Sequence, residues 1–162
     1  MMRQSTTGFA QRPSAFPWPP ALLGGAFLGA FLLGRGYPIA WPWLDDTPAR
    51  ALGTGLVAAG ALLFVWAAMT FKRHRTTILP NRGADRLVTD GPFRIRRNPI
   101  YLADVLILLG LAELTGNLWF AVMAALFAVL VTWLAILPEE RHLEAKFGDA
   151  YRDYKATTRR WI

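Results

Sequence analysis

Asp90-Gly91-Pro92-Phe93-Arg94-Ile95-Arg96-Arg97-Asn98-Pro99-Ile100-Tyr101 sets a turn, an arginine cluster and a helix start side by side, at the edge of an apolar block. Gly91-Pro92 is turn chemistry. Asn98-Pro99 opens a helix well, because Asn caps free N–H groups and Pro occupies a position where its missing N–H costs nothing. The positive end of that helix points back toward Arg94, Arg96 and Arg97, the usual way of building a pocket for a carboxylate or phosphate. The same residues also read as an ordinary cytosolic membrane flank, where arginines gather in any case.

Working outward, residues 98–115 form an apolar block of about 27 Å if helical, at ~1.5 Å per residue. Gly116-Asn117 then makes a tight turn into a second block, Leu118 to Leu137, so the two predict an antiparallel hairpin. Upstream, Ala49 to Phe71 is long enough to cross ~30 Å of hydrocarbon, and Ala21 to Gly34, extendable to Trp41, gives a further span. Gly25 and Gly29 fit a small-residue helix contact. Residues 1–20, polar and then Pro-rich, read as a flexible lead-in, 21–71 as the first two spans and 72–162 as the functional core. The basic loop 72–97 is long enough to imply a role of its own. The predicted fold is therefore all-α, a polytopic membrane bundle of about four helices followed by a C-terminal cytosolic amphipathic helix.

Composition agrees with that architecture. Of 162 residues 54% are hydrophobic and seven are Trp, the mean hydropathy is +0.28, and the formal charge is nevertheless +7. A soluble nucleic-acid-binding domain shares the charge but lacks the long apolar blocks, so no nucleic acid is expected as a partner. There is no Cys, which excludes disulfides, thiolate nucleophiles and Cys-based metal sites. Two His, at 74 and 142, are too few and too separated for a histidine metal cluster. No metal is expected.

Lys and Arg give the orientation. Eight lie in the long loop, six in the tail and two before the first span, against two in the first loop and none in the hairpin turn. Both termini and the long loop are thus expected in the cytosol, where loop and tail can build one site. The tail supplies acid: Glu139 and Glu140 follow Pro138, where first-turn carboxylates also act as simple helix caps. Beside the arginines they fit a ligand with an anionic end and a cationic or hydroxyl-rich end. Asp104, three residues after Tyr101 on one side of the third helix, is a carboxylate inside a span, either functional or paired with a loop arginine. Glu113, near the far interface, reads as solvated. Leu143, Phe147, Tyr151 and Tyr154 recur at helical spacing, with Gly148 as a possible break.

The order Leu87-Val88, Gly91-Pro92-Phe93-Arg94, Arg97-Asn98-Pro99-x-Tyr101, an apolar hairpin, then Pro138-Glu139-Glu140, Leu143, Phe147-Gly148, Tyr151 and Tyr154 resembles the isoprenylcysteine carboxyl methyltransferase family. Its small prokaryotic relatives and the phospholipid N-methyltransferases are similar. The likeness covers residues 77–162. It implies a prokaryotic inner-membrane enzyme that binds S-adenosyl-L-methionine in a cytosol-facing site. Arg97, Pro99 and Tyr101 match an Arg-His-Pro-x-Tyr motif in which Asn98 replaces the histidine, and Glu139 and Glu140 match a Glu-Glu motif. Arg97, Tyr101 and Glu140 are the implied catalytic residues. Phe93, Arg94, Arg97, Asn98, Pro99, Tyr101, Glu139, Glu140 and Tyr151 are implied to bind the cofactor. Arginine or helix N–H groups suit its carboxylate, Glu139 or Glu140 its ammonium and ribose, and Tyr101, Phe93 or Tyr151 its adenine.

Methyl transfer is an in-line displacement that positioning and water exclusion can accelerate without metal or covalent intermediate. The acceptor is expected to be a lipophilic or lipid-linked molecule ending in a carboxylate, thiol or amine, entering from the bilayer. Two other classes fit some of the residues: a sterol-reductase-like NADPH enzyme, although no Gly-x-Gly-x-x-Gly fingerprint is present, and a scaffold whose basic loop holds anionic lipid.

Overall fold

Four apolar runs become helices in the computed structural model, which describes residues 16–39, 47–74 and 86–161. α1 covers Trp18–Gly36, α2 Thr47–Arg73, α3 Pro99–Thr115 and α4 Leu118–Val131. A π-helical turn, Thr132–Ile136, leads without interruption into α5, Leu137–Phe147, and α6 follows as Asp149–Thr157. No strand occurs among the described residues, so the protein is all-α there. Most of the N-terminal lead-in, the Trp41–Asp46 stretch and residues 75–85 of the basic loop lie outside the described residues.

The helices form a row in the order α1, α4, α3, α2, with the predicted hairpin at its centre. α2 and α3 approach closely because their facing residues are small. A Cβ on Gly60 would meet the Ala103 carbonyl oxygen at 2.8 Å, and one on Gly110 the Gly53 oxygen at 2.7 Å, so backbone packs on backbone. On the other side Ala26 of α1 joins Tyr101, Leu108, Ala124, Phe127, Val131, Ala135 and Ile136 in the main core. The anticipated small-residue contact in α1 differs in detail: Gly25 faces open space, and Gly29 meets only Met123. Outward, Leu62, Val129 and Trp133 are exposed, as suits a hydrocarbon solvent.

Two helices, Thr47–Arg73 and Leu118–Phe147, are long and apolar enough to cross a membrane. α1 opens on Pro19-Pro20 and closes on Arg35-Gly36, and α3 has 17 residues. The boundaries shift in intelligible ways. α1 begins at Trp18, inside the expected lead-in, because prolines in a first turn lack only N–H groups that have no helical acceptor. The charged tail is a continuation of the fourth helix, since the π turn absorbs Pro138. Leu137 N–H donates to Thr132 O, five residues back, which realigns the ladder where a proline would otherwise clash. Gly148, at φ +56°, does end α5 and start α6.

Candidate functional site

The turn before α3 is built on glycine. Gly91 has φ +57°, and a Cβ there would lie 2.6 Å from Thr70 Oγ1 of α2, so both conformation and space exclude a side chain. Gly91–Arg94 then make one 3₁₀ turn. Its Phe93 is buried against Phe71 at 4.7 Å between ring centroids, within a small cluster with Ala67 and Val88. Asp90 anchors the front of the turn by accepting from His74 Nε2 at 2.8 Å, and that hydrogen bond holds the Asp90 carboxyl below the usual carboxylate range.

Beyond it the chain runs into a tight polar cluster. Arg97 donates through Nε to Glu140 Oε1 at 3.4 Å and through Nη1 to the carbonyls of Lys155, at 3.0 Å, and Thr158. Arg160 embraces the same carboxylate, Nε to Oε1 at 2.9 Å and Nη2 to Oε2 at 2.7 Å. Glu140, only 6% exposed, is thus shared by two guanidiniums. Ion pairing of this kind is what makes a buried carboxylate tolerable. Next to it in sequence, Glu139 lies instead beside the Tyr101 hydroxyl. Asp104 is buried one turn deeper on α3, and among the described residues no Lys or Arg is paired with it. Tyr151 is buried close to Glu140, Arg97 and Glu139, and burial chiefly pushes its hydroxyl up from the ordinary tyrosine value. Tyr154 stacks obliquely on it and donates to Phe93 O at 2.7 Å.

The fold therefore gathers Arg97, Asn98, Pro99, Tyr101, Glu139, Glu140 and Tyr151 around the start of α3. It does not gather Phe93, which faces α2, or Arg94, which is exposed. Asn98 corrects an expectation: it stands at the N-cap position but makes no capping bond, its Nδ2 donating instead to Arg160 O at 3.1 Å. The amide is drawn away because the C-terminal segment lies beside it. Arg97 likewise points at Glu140 and main-chain carbonyls rather than at open space for an anion. Glu113 is half-buried with Oε2 enclosed, where the sequence reads as solvated, because α2 packs against it at Gly53.

Sequence reasoning misses Arg160, Thr158 and Trp161, whose partners at the site lie far away in the chain and leave no local pattern. A Trp at the end of a charged tail is the one available signal. His142, 1% exposed, is missed as well, since the apolar period marks Leu143 instead.

An uncharacterised protein of Haemophilus influenzae is 42% identical over 65 residues, covering 39% of this chain and all of its own. Two resistance proteins, the cobalt-zinc-cadmium resistance protein CzcN of Cupriavidus metallidurans and the nickel-cobalt-cadmium resistance protein NccN of Alcaligenes xylosoxydans xylosoxydans, are 30% and 27% identical over 107 residues. Each match takes in 66% of this chain but only 44% and 45% of the relative. No solved structure matches. Residues 48–150, from α2 through the start of α6, match the profile described as phospholipid methyltransferase, and the chain belongs to that family, part of the isoprenylcysteine carboxyl methyltransferase-like group.

Proposed function

We propose that the protein is an integral membrane methyltransferase that uses S-adenosyl-L-methionine to methylate a lipophilic acceptor. The observation that carries this reading is the convergence of Arg97, Tyr101, Glu139 and Glu140 at the start of α3, on residues about 40 apart within the family-matched region. The donor set fits the cofactor. Among the described residues Glu139 is paired with no guanidinium and lies beside the neutral Tyr101 hydroxyl, which leaves carboxylate oxygens suited to an ammonium or to ribose hydroxyls. Tyr101 and Tyr151 offer aromatic cover beside it, and the first-turn N–H groups of α3 offer a positive end to a carboxylate.

When bound, the cofactor supplies a methyl carbon on a positively charged sulfur. The residues of the chain then act by orientation. Glu140, clamped between Arg97 and Arg160, fixes the register of α5 against α3 and so the place of Glu139 relative to Tyr101. Apolar neighbours around Tyr101 keep water from the reacting atoms. α1 and α3 complete a four-helix span with both termini and the site in the cytosol, in a prokaryotic inner membrane, and the acceptor reaches the site from the bilayer.

Membranes containing the protein, given methyl-labelled S-adenosylmethionine, are expected to transfer label into the organic-extractable fraction, and the Glu140→Gln variant is expected not to. Absence of labelling together with NADPH oxidation would replace this reading with the reductase.

A further inference from the structure

After α6 the chain leaves the helix at Thr158 in an extended conformation and runs parallel to the strand-like segment before α3. Five bonds tie it down on three elements. Arg97 N–H donates to Arg159 O at 3.0 Å, and Asn98 Nδ2 to Arg160 O. Arg160 grips both oxygens of Glu140 on α5. Trp161 Nε1 donates to Thr132 Oγ1 of the π turn at 3.1 Å, while its ring packs against the main core. The segment itself lies beyond residues 48–150, the part matched to the family, while its partners lie within that part.

We propose that Thr158–Trp161 is a clasp that completes the site, with Arg160 as a positioning residue for Glu140. The proposal rests on the methyltransferase reading and adds residues to it. Its chemical consequence concerns the paired acids. Consecutive residues of a helix lie ~100° apart, so they cannot face the same partner. Arg160, with Arg97, engages both Glu140 oxygens and fixes that side chain toward the clasp. Glu139 is thereby left on the Tyr101 side, facing the ligand. The two carboxylates divide the work, Glu140 structural and Glu139 binding, and the clasp enforces the division. The docked segment is the working state of the site, since it holds Arg97, Asn98 and Glu140 in place.

The test combines S-adenosylhomocysteine calorimetry with amide exchange on the detergent-solubilised full chain. Arg160→Ala is expected to weaken binding about tenfold, the loss typical of a charge-assisted hydrogen bond, with Arg160→Lys recovering part of it. Asn117→Ala, which loosens the fold at the opposite end, is the control for mere destabilisation and is expected to bind as wild type. Unchanged affinity in Arg160→Ala would overturn the proposal. Because the sequence has no Cys, Arg96→Cys with Arg159→Cys creates a single disulfide across the parallel bridge. The oxidised protein is expected to bind as tightly as the same protein reduced, whereas binding only after reduction would show that the segment must open. Exchange in the peptide containing Arg97 needs no ligand: faster exchange in Arg160→Ala supports the clasp and unchanged exchange overturns it. Failure of the wild type to bind, with that exchange still faster, would overturn the methyltransferase reading and not the clasp.

Discussion

Asn98 and Asn117 occupy matching places, each one residue before a helix of the central hairpin, yet they do different things. Asn117 Oδ1 accepts from Trp119 N–H at 3.0 Å, an ordinary cap, and its Nδ2 reaches Ala30 O of α1 at 3.1 Å. The chain around it is fastened to the segment that follows α1, with Leu118 N–H on Ile39 O and Trp119 Nε1 on Tyr37 O. Asn98 leaves its helix uncapped and spends its amide on a carbonyl 62 residues away. One end of the hairpin is thus capped by its own asparagine and tied to α1, while the other forgoes that cap and is tied to the C-terminal segment, together with two arginines and a buried glutamate. An asparagine that forgoes the cap of its own helix leaves first-turn N–H groups without that side-chain acceptor, open to another partner.

That contrast can be broken most severely at Glu140. Glu140→Ala leaves Arg97 and Arg160 without their common carboxylate, and thermal unfolding in detergent should show a loss of roughly 3–5 kcal/mol, the scale for a broken buried ion pair, with ligand binding abolished. Asn117→Ala should cost about 1–2 kcal/mol for its cap, with no change in S-adenosylhomocysteine affinity. Asn98→Asp sharpens the difference, because aspartate keeps an acceptor able to cap but loses the donor to Arg160 O. Its stability is expected to move by no more than about 1 kcal/mol while calorimetric affinity falls; an unaffected affinity would mean that the Asn98 bond to Arg160 O is not needed for binding. The smallest effect concerns Asp90. Its carboxyl is depressed by His74, so its contribution exists above the unfolded carboxylate value, ~3.9, and disappears as pH falls through the lower folded value. The pair is exposed, and Asp90→Asn should therefore remove under ~1 kcal/mol near neutral pH and nothing in strong acid, seen by pH-dependent melting.

The same contrast explains what could be read in the sequence. Local chemistry was legible: Gly116 takes φ +62° between two apolar blocks, Gly148 divides the tail, and Gly91-Pro92 makes a turn. The gathering of Arg97, Tyr101, Glu139 and Glu140 was legible only because charge placed the loop and tail on one side. Pro138 misled, since a π turn can carry a helix through a proline with no mark in the residues themselves. The clasp was hidden because three of its bonds, from Arg97 and Asn98 just before α3, end on carbonyl oxygens, which every residue has, and Arg160 is one of six basic residues in the tail.

The central claim is that the start of α3, the acids of α5 and the C-terminal segment form one cofactor site. Calorimetric titration of S-adenosylhomocysteine into the detergent-solubilised protein, beside its Glu139→Gln and Asn117→Ala variants, tests this most directly. The account predicts saturable binding that Glu139→Gln loses and Asn117→Ala keeps. Binding that survives in Glu139→Gln, or none in the wild type while NADPH binds, would contradict it.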